Sequence, residues 1–472
     1  MGVSICWFRG RVVAAVLVIL CASALEANSQ KSKGGGGCVA PAPHNPAVNS
    51  CFSSMAESGC IDSYFRSAGE VTFLDTGLAP QGAVRLQPPP ASPAGGTPKI
   101  IVFNQTGSSA TVMRLNLDGT LDPTFGTNGV SSYQLEPSGT LIGVFDGLID
   151  ANRNILVGGY AGSDIFVMRL LPDGAVDTSF GSNGVFMSAG TLSGSADGQA
   201  LAIQPDGKIL DVGAQWGRKG SSGSSLMLRL TSSGALDSTF GSGGFVSFTS
   251  GTGGQELRAV AIQTIGATSY IVAGGGNWLG RFTPSGALDS SFGTGGQVVG
   301  PKCGGTGYAR SIYVDGSGNI FMLGYSNAGT SGGPYLNLTK YTSAGVLDTQ
   351  SFGDVSGTAH TGSTFLNVFG GSSYPGWGSS LIPTTSSTGA TQLVVTGNGS
   401  TPGTPSYTYA VVARYNLDGT LDTTFGGGVA ARQFGSGAAW GMGSVAEPNG
   451  EIVPFIIWDN SGGYLALTRY WP

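Results

Sequence analysis

The feature that most constrains this chain is a thirteen-residue phrase that keeps returning. Arg114 to Gly126 reads RLNLDGTLDPTFG, and Arg414 to Gly426 repeats it almost unchanged. Variants run from Arg169 to Gly181, Arg229 to Gly241 and Arg281 to Gly293. A degenerate copy from Lys340 to Gly353 has Lys for Arg and one extra residue before Phe352. The leading basic residues lie 52 to 74 residues apart, a period that belongs to repeat architectures. Thr468-Arg469-Tyr470 supplies one more head, 55 residues beyond Arg414, without a tail. The stretch from Ile61 to Val71 (IDSYFRSAGEV) reads as a tail without a head. Six whole copies and two complementary halves make seven units.

Each unit holds strand-like runs between turns. In the third, Ala200 to Gln204 is apolar, Pro205-Asp206-Gly207 signals a turn, and Lys208 to Gly213 follows. Ser225 to Leu230, the L-D-x-x-F-G link, and Gly244 to Thr249 complete it. The Pro, Asp and Gly supply the preset or positive φ that tight reversals need. Four short antiparallel strands in such a span are one propeller blade. A lone blade cannot bury both faces, whereas a ring does so and removes its exposed edges. The spacing therefore predicts an all-β, seven-bladed β-propeller with four-stranded blades. A strand at Gly69–Phe73 is expected to complete a last blade built from about residues 441 to 470. A solenoid would have no use for complementary half-repeats.

The units also carry Gln204-Pro205-Asp206-Gly207-Lys208-Ile209-Leu210 ahead of the Arg-led phrase. Two motifs in this order resemble the delta-60 repeat family of secreted bacterial proteins, over residues 61 to 472. The resemblance implies a β-propeller and brings no established activity. Copies five and six depart most, with Val314 to Asn319 and Ile382 to Thr385 where the turn is expected.

The N-terminus has its own logic. Arg9 and Arg11 precede an apolar run from Val12 to Leu20, and Ala22-Ser23-Ala24 offers a small-residue cleavage site. This is the anatomy of a secretory signal peptide over residues 1–24. A lipoprotein anchor at Cys21 is disfavoured by the bulky Leu20 before it. No transmembrane segment is expected after signal removal. Residues 25–60 form a Gly/Pro-rich leader with cysteines, and 61–472 the propeller. Cys38, Cys51, Cys60 and Cys303 are then left in an oxidising compartment, with three connectivities open. The formal charge is −5, and −7 without the signal peptide, which removes two arginines and no acid. With only 10% charged residues, the surface gives nucleic acid no electrostatic footing.

For function, the N-x-D-G-x-x-D strings such as Asn116, Asp118 and Asp122 could suggest calcium. Copies three and four place Ser233 and Ser285 before the Gly, so turn and capping chemistry explains them better. The repeated Arg and Phe read as fold residues. Neither metal nor cofactor is expected. Only His44 and His360 exist, and no G-x-S-x-G or H-E-x-x-H occurs. Asp164, Asp211 and Glu256 could serve a glycan-active hydrolase or lyase at the ring mouth.

The aromatics say more. In an up-and-down blade the second-to-third loops and the inter-blade loops share one face. Trp216, Trp278, Trp377, Trp440, Trp458, Tyr160, Tyr308 and Tyr325 map there, with Arg218 in a neighbouring loop. They either plug blade seams or form a face that stacks sugar rings or seats a protein. The reading is a monomeric, secreted or surface-associated binding scaffold of unknown partner, with a glycan or protein at this face. The alternatives are the glycan-active enzyme and a structural envelope or matrix component.

Overall fold

β-Branched and aromatic residues bunch between Gly-containing turns along this chain, and those bunches are the strands. The computed structural model describes residues 65, 70–74, 82–91, 96–136, 140–192, 194–216, 223–248, 256–300, 308–327, 334–356, 359–366, 378–386, 388–399, 409–433, 439–458 and 464–472. All fall in one compact unit, Cys38–Pro472.

Seven four-stranded antiparallel sheets follow one another. Blade one is Ala83–Gln87, Lys99–Thr106, Ser109–Leu115 and Val130–Gln134. Blade two is Ile142–Ile149, Ile155–Ala161, Asp164–Leu170 and Val185–Met187. Blade three is Ser195–Ile203, Ile209–Trp216, Ser224–Leu230 and Phe245–Phe248. Blade four is Ala259–Ile265, Thr268–Gly275, Trp278–Phe282 and Gln297–Val299. Blade five is Tyr308–Val314, Ile320–Asn327, Pro334–Tyr341 and Ser363–Leu366, with a small hairpin, Val355–Ser356 and Ala359–His360, before its outer strand. Blade six is Gly378–Thr385, Thr391–Gly399, Tyr409–Asn416 and Val429–Gln433. Blade seven takes Ala439–Ala446, Ile452–Trp458 and Tyr464–Thr468 from the end of the chain. Its outer strand, Glu70–Leu74, comes from the beginning. Each first strand lies against the first strand of the next blade, and that of blade seven against blade one, so the ring is closed.

The closure has its own chemistry. Glu70 pairs with Thr468, and its carboxylate meets Arg432 of blade six at 2.5 Å. Phe65 is fully buried among Val84, Ile100, Phe455 and Leu465, and Arg469 lies 5.0 Å over its ring. The two half-repeats thus reunite as one copy of the Arg–Phe contact.

The same contact recurs around the ring. Arg114, Arg169, Arg229, Arg281 and Arg414 stack 4.5–4.8 Å over Phe125, Phe180, Phe240, Phe292 and Phe425. Each also meets the Asp eight residues on, at 2.7–3.0 Å in Arg114–Asp122, Arg169–Asp177, Arg229–Asp237, Arg281–Asp289 and Arg414–Asp422. Lys340 keeps the pair with Asp348 at 2.9 Å. A further guanidinium nitrogen crosses to the next blade: Arg114 donates to the Pro172 carbonyl at 2.6 Å and Arg281 to that of Ser343 at 2.7 Å. The Asp keeps one oxygen for its own turn, as where Asp122 accepts from Thr124 N–H at 3.1 Å and from its hydroxyl at 2.7 Å. Burial opposes ionisation of Asp122, yet the Thr124 hydrogen bonds and the Arg114 charge hold its carboxyl down at about 2.

The turn glycine is required twice over in several of the phrases. Gly234 has φ +82, and a Cβ there would fall 2.8 Å from the Phe180 ring of the preceding blade. Gly174 stands in the same relation to Phe125.

Two expectations shift in detail. Ile382 to Thr385 is not a turn but the end of a first strand, with Pro383 opposite Leu393; the reversal is at Ser386–Ala390. Proline is tolerated because a first strand has one ladder edge free of partners. Blade three's first strand begins at Ser195, five residues before the apolar run at Ala200.

Candidate functional site at the channel mouth

Seven first strands around an axis leave a channel, here of about 410 Å³. Arg85, Phe145, Gln199, Arg258, Arg310, Ser379 and Met442 line it, one from each blade. Five of these sit at β-bulges, where the register slips between Val144 and Asp146, Gly198 and Ala200, Ala309 and Ser311, Gly378 and Ser380, and Gly441 and Gly443. A bulge leaves one residue outside the ladder and re-aims its side chain. The following residue can then cap the next blade: Asp146 Oδ2 accepts from Leu201 N–H at 2.9 Å, and Ser311 Oγ from Leu381 N–H at 3.2 Å.

Blades two to four add what the repeat does not contain. Asp146 meets Arg85 at 2.5 Å, and Glu256 is paired with Arg258. Arg258 Nη1 points at Gln199 Oε1 at 3.5 Å, and Gln199 Nε2 donates to Asp197 Oδ2 at 2.9 Å. Ala214 N–H completes the chain on Asp197 Oδ1 at 3.3 Å. Behind this wall Asp211 is 1% exposed, its carboxyl beneath Gly198, where a Cβ would lie 2.3 Å from Oδ2. Neither Asp211 oxygen makes a well-formed hydrogen bond among the described residues; only its neighbour Val212 N–H lies close enough to favour the charge.

The electrostatics follow from this placement. Burial, then the charges of Asp146 and Asp197, push the Asp211 carboxyl well above the usual carboxylate range. Burial and the Glu256 charge raise Asp197 to about 7, against weaker help from Gln199. Tyr160 is raised by burial and by Asp197, and its ring lies 5.7 Å from that of Phe145.

The aromatic candidates divide. Tyr160, Trp216, Tyr325 and Trp458 stand at the ends of second strands, and Tyr308 and Trp440 at the starts of first strands. Tyr308 is directly opposite Tyr325. Trp216 is 37% exposed and sits opposite Ser195, two residues from Asp197, on the same side of the strand pair. Tyr160 and Tyr325 are half-buried. Trp278 is 1% exposed, its indole N–H donating to Gln297 Oε1 at 2.7 Å and its ring packed near Phe248 and Phe282. That ring is a seam filler and offers a ligand no surface. Trp377 and Arg218 lie outside the described residues, as do the side chains of Tyr308, Trp440 and Trp458.

Among the carboxylates singled out in the sequence, Asp211 and Glu256 join the mouth cluster. Asp164 does not; it accepts from Ser188 Oγ at 3.1 Å on a third strand. Sequence reading missed Asp146, Asp197, Gln199, Arg85 and Arg258. The available signal was the Asp-Gly pair at 146–147 and at 197–198, which sits in a strand at a bulge rather than in a reversal.

Four segments, residues 99–125, 151–180, 204–240 and 392–425, match the model of a domain of unknown function described as a β-propeller (DUF5122). This chain is a β-propeller repeat protein. No curated protein matches it in sequence. Solved structures similar in fold include the Chaetomium thermophilum polycomb repressive complex 2, 10% identical over 85% of this chain and 97% of that one, with a TM-score of 0.44. The polysaccharide lyase Uly1 is 11% identical over 90% of this chain and 96% of its own, TM-score 0.44. Drosophila Plexin A, in complex with Semaphorin 1b, is 7% identical over 88% of each, TM-score 0.33. These identities speak to fold alone. The propeller fold itself is suited to an interaction scaffold. No helix among the described residues is long and apolar enough to cross a membrane.

Proposed function

We propose that this propeller is an exported binding protein that takes a glycan at the channel mouth over blades two to four. One observation carries the reading. The link chemistry that holds the ring, a basic residue against an Asp and a Phe, repeats in blades one to six, whereas Asp197, Gln199, Glu256, Arg258 and the buried Asp211 occur once and serve no repeated contact. A buried carboxyl without good partners costs stability, about 1–3 kcal/mol for an unsatisfied polar group, and fold maintenance does not require it. Such exceptions to local rules concentrate at functional sites. The exposed Trp216 beside this polar set supplies the flat apolar surface on which sugar rings stack. Export rests on the signal features around Arg9, Val12–Leu20 and Ala24, and the delta-60 kinship on the repeated motifs.

The test is retention of the mature chain, from Leu25, on an array of polysaccharides and cell-wall glycans. Retention weakened by Trp216→Ala and Gln199→Ala supports the reading. Retention unaffected by either moves the site elsewhere. A second reading, glycan cleavage, is favoured by the neutral-range Asp197 beside Glu256, since a carboxyl poised near the working pH suits general acid–base work. It predicts turnover of any retained glycan, abolished by Asp197→Asn.

A further inference from the structure

The mouth cluster has more carboxyls than cations. Asp146, Asp197, Asp211 and Glu256 share the mouth with Arg85, Arg258 and Arg310, of which Arg85 is committed to Asp146 and Arg258 to Glu256. Among the described residues Asp197 accepts from the neutral amides of Gln199 and Ala214, and Asp211 has no cation. Aromatic surface flanks Asp197: Tyr160, stacked near Phe145, from blade two, and Trp216 from its own blade.

We propose that the ligand taken at this mouth carries a protonated amino group, as an amino sugar does, and that this ammonium seats on Asp197. The proposal rests on the glycan reading above and narrows it. An ammonium brings the missing positive charge, donates to a carboxylate through several N–H groups, and is attracted by aromatic faces. In a half-desolvated site that charge pair is stronger than at an open surface.

The ammonium arrives charged, Asp197 gives its proton to solvent, and the ion pair forms with no covalent change. Charged groups facing Asp197 are Glu256 and Arg258 from blade four; Tyr160 from blade two and the Asp211 carboxyl behind it are its other titratable neighbours. A neutral glycan seated on protonated Asp197 would release nothing.

The experiment is titration calorimetry of the mature chain with an oligomer of β-1,4-linked glucosamine and with its N-acetylated counterpart, in two buffers of different ionisation heat. The expected result is tighter binding of the amine form by at least about tenfold, with proton release, both lost in Asp197→Asn. Asparagine mimics the protonated carboxyl in shape, and the two-ligand comparison on the wild type holds even if that variant folds poorly. Equal affinity for both forms, amine preference that survives Asp197→Asn, or binding of calcium alone at this site overturns the proposal. If neither oligomer binds while another glycan is retained through Trp216, the ammonium idea fails and the glycan reading stands. If no glycan is retained, both fail.

Discussion

Two sets of carboxylates in this molecule have opposite fates. In the links between third and fourth strands, Asp122, Asp177, Asp237, Asp289, Asp348 and Asp422 each have a basic partner and turn hydrogen bonds. Their ionised forms are favoured, and Asp348 falls to about 2 although burial opposes it. At the channel mouth Asp197 and Asp211 lack such a partner and are held toward the neutral form. Burial acts on both sets. What separates them is a designated cation, which each of these link carboxylates has and which Asp197 and Asp211 lack among the described residues. The links are built to hold the ring; the mouth is left electrostatically incomplete, which is the condition a ligand can satisfy.

The comparison breaks most visibly at the links. Asp237→Ala leaves Arg229 buried without its partner and is expected to destabilise the ring by about 3–5 kcal/mol in denaturant unfolding. An effect near zero would remove the links from their structural role. Gly234→Ala, which must place a side chain at φ +82 against Phe180, is expected to cost roughly 1–3 kcal/mol by the same assay. The equivalent change at Gly107, at φ +61 with open space around it, meets no such neighbour and should cost less.

pH sharpens the contrast because the two sets have opposite signs. Depressed link carboxylates give stability that is full above their unfolded value near 3.8 and is lost as pH falls through about 2. Raised Asp197 gives the reverse: its contribution is full below 3.8 and is lost as pH rises through about 7. Melting temperature against pH should therefore fall at both ends, and Asp197→Asn should flatten the alkaline limb while leaving the acid limb. An alkaline limb unchanged in that variant would assign it to other groups. The smallest stability effect belongs to Trp216→Ala, within about 0.5 kcal/mol as for an ordinary surface position, even though retention on glycan should drop.

The ring was legible in the sequence because its chemistry is periodic. A phrase repeated from Arg114 to Gly426 with split ends at Phe65 and Arg469 leaves one economical closure, and the blade count follows. The site was only half legible. Trp216 and Glu256 could be singled out by residue type. Asp146 and Asp197 were hidden by grammar: Asp-Gly marks reversals elsewhere in this chain, and Ser195 to Gln199 has none of the apolar alternation that announces a strand. Only the bulge between Gly198 and Ala200 turns that segment into channel wall. Trp278 shows the converse limit, since position on the right face does not say whether a ring points outward or into the seam.

The central claim, that ligand is taken at the mouth over blades two to four and nowhere in the repeated links, is tested most directly by one measurement. It is glycan-array retention of the wild-type chain from Leu25 beside Trp216→Ala and Gln199→Ala, with melting temperatures recorded for all three. Both variants are expected to lose retention while melting as the wild type does. Full retention by both, with unchanged melting, would contradict it.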